Sequence, residues 1–145
     1  MENRNGFPVA ARVTAATPQG EWGAAVDMAG VVNGGRRRIT LAADKAYDEA
    51  KFLQSLREMK VTPHVCRNES EKRRSNLDAR TTRHAGYQIS LKQRRRIEPI
   101  FGWLKTTALM RKVRYRGQAL LEWMFTLAVS GYSLVRMARM PVPAA

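Results

Sequence analysis

Apolar positions along this chain change period several times, and each change predicts an element. Val9 and Val13, set among small residues between turn signals at Asn5-Gly6 and Pro18, predict a strand over residues 7–17. Residues 21–29 read as a short helix and Asn33-Gly34-Gly35 as a turn. Residues 38–43 (Arg-Ile-Thr-Leu-Ala-Ala) predict a strand ending at Asp44. Ala50, Phe52, Leu53, Leu56 and Met59 recur about one turn apart and predict an amphipathic helix over 47–60. Residues 61–66 form a further short strand, interrupted by Pro63. Strand, helix and strand at this spacing make a βαβ unit, which implies parallel pairing.

The second half reads differently. Residues 67–86 are almost free of apolar side chains and predict a long basic loop. Ser90 and Gln93 have capping-box spacing, so a helix is expected over 91–108. Ile97, Phe101, Leu104 and Ala108 form its apolar stripe, and Pro99 interrupts the pattern with an expected kink. Residues 111–117 are a basic connector. Residues 118–137 are apolar most of the way round, which predicts a buried helix. No internal repeat is visible.

Charge sharpens the picture. The 145 residues include 26 Lys and Arg against 12 Asp and Glu, a net charge of +14. Residues 67–116 alone hold 15 basic and 4 acidic residues, net +11. A single-sign block of this kind points to a polyanionic partner, above all DNA, rather than a small-molecule substrate. The single cysteine, Cys66, excludes an internal disulfide framework, and with only His64 and His84 beside it no structural zinc site is expected. Both histidines read as loop residues, Cys66 as a small buried hydrophobe, and Trp103 and Trp123 as helix-packing residues. The N-terminus has no apolar signal region, and the apolar stretch 119–135 is broken by Glu122, Ser130 and Gly131. A cytoplasmic, nucleoid-associated protein without a membrane span is the expectation.

Two acids stand out. Asp44 follows an apolar strand, where functional carboxylates of α/β sheets gather, although a capping or turn role suits the same position. Glu98 falls on a stripe with Arg94, Gly102 and Lys105, at spacings of 4, 4 and 3. A carboxylate flanked in this way can hold a divalent ion while its cationic neighbours hold phosphates; the spacing also suits a plain Arg–Glu surface pair.

Together these segments carry a resemblance. Ala43-Asp44-Lys45-Ala46-Tyr47-Asp48 resembles the A-D-K-G-Y-D segment of insertion-sequence transposases of the DDE class. Arg94, Glu98 and Lys105 are similar to their R-x3-E-x6-K signature, and Phe101-Gly102-Trp103-Leu104-Lys105 to the F-G-x-x-K within it. Thr81-Thr82-Arg83-His84-Ala85-Gly86-Tyr87 resembles the T-T-R-H-P-G-Y of one bacterial subgroup, and Phe125-Thr126-Leu127-Ala128 with Tyr132 and Leu134-Val135-Arg136 its closing helix. Ala46 replaces the usual Gly, and Leu91 stands where the signature has Tyr.

The resemblance implies a partial RNase H-like α/β fold, with a mixed sheet, helices and a C-terminal helical pair. It implies metal-dependent phosphodiester cleavage and strand transfer, with Asp44 and Glu98 as catalytic carboxylates binding Mg²⁺ or Mn²⁺. No acid upstream of Asp44 has the context of the family's first Asp. The expectation is therefore a C-terminal part of a catalytic domain, missing its N-terminal strands, marginally stable and catalytically incomplete. Its single domain would comprise 1–66 with the second Asp, the basic loop 67–89, the helices 90–138 and a tail 139–145. Its partner is DNA, contacted by Lys45, Arg73, Arg74, Arg83, Arg94, Arg95, Arg96, Lys105, Arg111, Lys112, Arg114 and Arg116. A homodimer or a complex with a full-length transposase is a further expectation. The competing reading is a non-enzymatic DNA-binding protein that competes with such a transposase.

Overall fold

A computed structural model describes residues 1–35, 37–70, 74–114 and 116–141. They form an α/β protein of two compact units, one of residues 15–95 and the other of residues 1–14 with the described part of 96–145.

The first unit is built around a βαβ unit. Helix α1 spans Pro18–Asn33; Thr17 caps it by accepting from Gly20 N–H at 3.1 Å, and Pro18 sits where a missing N–H costs nothing. It ends at Gly34, whose φ of 56° places it in the left-handed region and lets its N–H reach Gly30. Strand β1 covers Ile39–Ala43, helix α2 Ala50–Glu58 and strand β2 Val61–Val65. The two strands pair in parallel, from Ile39 opposite Val61 to Ala43 opposite Val65. Pro63 lies inside β2 opposite Leu41, tolerated because edge positions exist that need no backbone donor. Phe52, Leu53 and Leu56 lie on one face of α2 and bury against Val61, Val65, Leu77, Tyr87 and Ala29. Each such side chain is worth about 1.5–3 kcal/mol of burial.

Several expectations change here. Residues 7–17 contain no strand: Pro8 and the small alanines offer little apolar area, Val9 is half exposed, and the sheet among the described residues is β1 and β2 alone, parallel rather than mixed. The basic loop is not one long loop, because helix α3 occupies Ala79–Arg83, capped by Asp78, and helix α4 occupies Ala85–Gln93, capped by His84 rather than by Ser90. His64 is a buried β2 residue, not a loop residue, and Cys66 is only half-buried.

The helix expected over 91–108 is also divided. A 3-10 turn covers Arg94–Ile97, and helix α5 runs over Glu98–Thr106 with Pro99 in its first turn. Proline cannot donate to the carbonyl four residues back and its ring would strike it, so the helix restarts where that donor is not needed.

In the second unit α5 packs on helix α6, Gln118–Ala138, through Ile100, Leu104 and Tyr132. Helix α6 is not buried all round: Leu120, Trp123, Leu127, Leu134 and Met137 are exposed, Trp123 to 60%. Its apolar circumference therefore reflects one packed face and one open face. Among the described residues no helix is long and apolar enough to cross a membrane.

Candidate carboxylate site and basic surface

Asp44 follows the last residue of β1 and opens a 3-10 turn, Lys45–Tyr47, by accepting Tyr47 N–H through its own carbonyl at 3.0 Å. The turn is held from α1 by Trp22, whose indole N–H donates to the Ala46 carbonyl at 3.2 Å. Ala46 takes the place of glycine without strain, since only Lys60 and Leu109 among the described non-glycine residues have positive φ.

The Asp44 side chain points outward and forms an ion pair with the Arg94 guanidinium, at the start of the turn after α4. The pair joins the end of the first strand to the end of the α4 helix. Lys45 lies beside it and is exposed.

Asp48, four residues on, plays the opposite part. It is 1% exposed, and its carboxylate accepts Asn68 N–H at 2.8 Å and Asn76 N–H at 2.9 Å. Asn76 also donates its side-chain amide to the Asp48 carbonyl at 2.9 Å. Burial pushes this carboxyl up, but the Ser75 hydroxyl and the two backbone donors outweigh it and hold the group below the ordinary carboxylate range. Asp48 thus ties the basic segment to the βαβ unit at Asn68 and at Asn76. It closes the motif that opens at Asp44, and that position was the available signal for it.

Beneath β2, Tyr87 donates its hydroxyl to the Val65 carbonyl at 2.9 Å. The His64 ring meets Tyr87 edge-on at 5.6 Å and its Nδ1 lies 2.7 Å from Ser90 Oγ. Burial, and then the neighbouring His84, push the His64 imidazole below its usual range. Tyr87, Ser90 and His64 thereby fix α4, and with it Arg94, against the two-stranded sheet whose first strand leads into Asp44.

Glu98 lies in the second unit. It is the first residue of α5 and exposed, where the helix dipole favours a carboxylate. Glu98, Gly102 and Lys105 share α5, whereas the 3-10 turn breaks the continuous stripe expected with Arg94. Carboxylate oxygens suit a divalent cation. Asp44 is paired with Arg94, and among the described residues no three His, Cys, Asp or Glu side chains gather to hold a metal.

Of the basic candidates, Arg74, Arg83, Arg95, Lys105, Arg111, Lys112, Arg114 and Arg116 are exposed with Lys45. Arg83 also closes its own helix by donating to Ala79 at 3.1 Å. Arg96 is exposed, and its Nη1 donates to the carbonyls of Asn3 and Arg4. Arg73 lies outside the described residues.

The profile of one family, described as a transposase DDE domain, matches residues 1–134. No curated protein and no solved structure matches the chain.

Proposed function

The chain belongs to the transposase DDE domain family, and on that premise we propose that it is a DNA-binding member of it whose carboxylates are Asp44 and Glu98. The family acts on DNA and is generally dependent on divalent metal, so transposase-like function is the coarse assignment. The finer one is a protein that holds duplex DNA through phosphate contacts from Lys45, Arg74, Arg83, Arg95, Lys105, Arg111, Lys112, Arg114 and Arg116. Such contacts fix position without reading bases. The partial RNase H-like fold, the cytoplasmic location and the single-domain division belong to the same proposal, as does Mg²⁺ or Mn²⁺ as the metal of any cleavage.

The observation that carries the reading is the Asp44–Arg94 pair at the end of β1. It sets a strand-end carboxylate against a guanidinium that would hold a phosphate once Asp44 releases it. The same observation favours the second reading, binding without cleavage, because Arg94 competes with a cation for the Asp44 carboxylate. Gel retention of a duplex by the purified chain across a salt series tests the assignment. Retention that weakens steeply with salt and is insensitive to sequence is expected; absence of retention at low salt would rule the DNA-binding assignment out.

A further inference from the structure

The second unit contains a cleft of about 480 Å³ that none of the candidate carboxylates or DNA-contacting residues lines. Its size is that of small-molecule sites. Arg4, Arg136 and Arg139 line it around a floor that includes Pro99, Trp103 and Tyr132, and none of its lining side chains is acidic.

The cleft is built rather than incidental. The Glu2 carboxylate accepts the backbone N–H groups of Arg4 at 2.7 Å, Asn5 at 2.8 Å and Phe7 at 2.9 Å, which ties residues 2–7 into a closed turn. Arg96 donates to the Arg4 carbonyl at 2.9 Å, and Arg136 Nε donates to the Asn5 carbonyl. Gly6, at φ 71°, lets the turn pass over the Arg136 guanidinium; a Cβ there would lie 2.9 Å from its Nη2. The turn therefore holds the Arg4 backbone near Arg136, in α6, and Arg139, just past its end. Trp103 and Tyr132 stand edge to face at 5.7 Å, and the Trp103 ring lies over Gly131, 3.5 Å from where a Cβ would be.

Guanidinium groups around an aromatic floor match a ligand with a phosphate at one end and a flat ring at the other. Each guanidinium offers a donor fork suited to phosphate oxygens, and Arg136 keeps its Nη donors after Nε is used. An indole face stacks a base whatever its identity. We infer that this cleft is a nucleoside-phosphate site, with the phosphate among Arg4, Arg136 and Arg139 and the base against Trp103. The nucleotide is either free or the phosphorylated end of a DNA strand. Neither Asp44 nor Glu98 takes part.

Calorimetric titration of the full chain with a deoxynucleoside 5′-monophosphate, its nucleoside and inorganic phosphate tests the site. The nucleotide should bind about tenfold more tightly than either half. Arg139→Gln and Trp103→Leu should each weaken it about fivefold or more, and Trp123→Phe should leave it unchanged. Because Trp103 also packs, Arg139→Gln carries the test if Trp103→Leu loses helical circular dichroism. Equal binding of nucleotide and phosphate, no nucleotide binding, or indifference to Arg139→Gln would overturn the site. Displacement by a 5′-phosphorylated duplex but not by a 5′-hydroxyl duplex assigns a DNA end as the source. Binding undisturbed by either assigns a free nucleotide, and displacement by both alike overturns a distinct site. These arms read independently of whether the chain retains duplex DNA in the salt series.

Discussion

Arg94 and Asp44 form an ion pair that joins the turn after α4 to the end of β1. The carboxylate is the more exposed partner and the guanidinium is half-buried, so the arginine is the fixed member. Asp44 then occupies, as an internal anion, the position a DNA phosphate would seek at Arg94.

That competition has a measurable sign. Asp44→Asn should tighten duplex retention about two- to fivefold, the scale of an exposed pair, and should do so only while Arg94 is present. In an Arg94→Gln background the same change should do little beyond removing one negative charge. Equal tightening in both backgrounds, read by gel retention, would show that the pair does not govern access to Arg94.

The exposed cations after α5 should behave as separate phosphate ligands. Arg111→Gln, Lys112→Gln and Arg114→Gln should each flatten the plot of log affinity against log salt by roughly 0.9, the slope that one neutralised phosphate supplies. They should weaken all duplex sequences alike. A salt slope unchanged in the triple variant would remove these residues from the interface.

Asp48 should matter for stability rather than for binding. Asp48→Asn sets an amide against backbone donors it cannot fully accept, at a cost of roughly 2–3 kcal/mol. Its folded carboxyl is held below the ordinary value, so the stability it provides is present above about pH 4. That stability is lost as pH falls from there through the folded value. Thermal melts from pH 7 to pH 3 should show a fall in the wild type that is shallower in Asp48→Asn.

His64 acts in the same direction at higher pH. Its folded imidazole is pushed down by burial and by His84, so the unfolded chain takes up a proton first. Stability is full above about pH 6.5 and declines as pH falls from there toward the folded value. His64→Gln should remove that slope between pH 7 and pH 5. A slope that persists unchanged would assign it to another group.

Much of this was legible in the sequence where pattern and chemistry agreed. The apolar spacing of Phe52, Leu53 and Leu56, the strand 39–43 and the turn at Gly34 needed only period and glycine. The family was legible from the short motifs around Asp44 and Glu98. What escaped were contacts between distant segments. Val9 and Val13 suggested a strand, yet no strand forms there. His84 out-competed Ser90 as a helix cap because its ring nitrogen reaches Gly86 N–H at 3.1 Å. Asp48 figured only as the last residue of a motif, since its partners Asn68 and Asn76 lie at least twenty residues away. The open face of α6 was indistinguishable from a buried one, because apolar residues alone do not say which side meets a neighbour.

The central claim is that this chain holds DNA through its basic surface while Asp44 is kept by Arg94. A supercoiled-plasmid assay on the purified chain, with and without Mn²⁺ and beside Glu98→Gln, tests it most directly. Salt-sensitive retention of the plasmid, without nicking, is expected of both proteins. Nicking that requires Mn²⁺ and disappears in Glu98→Gln would contradict the claim.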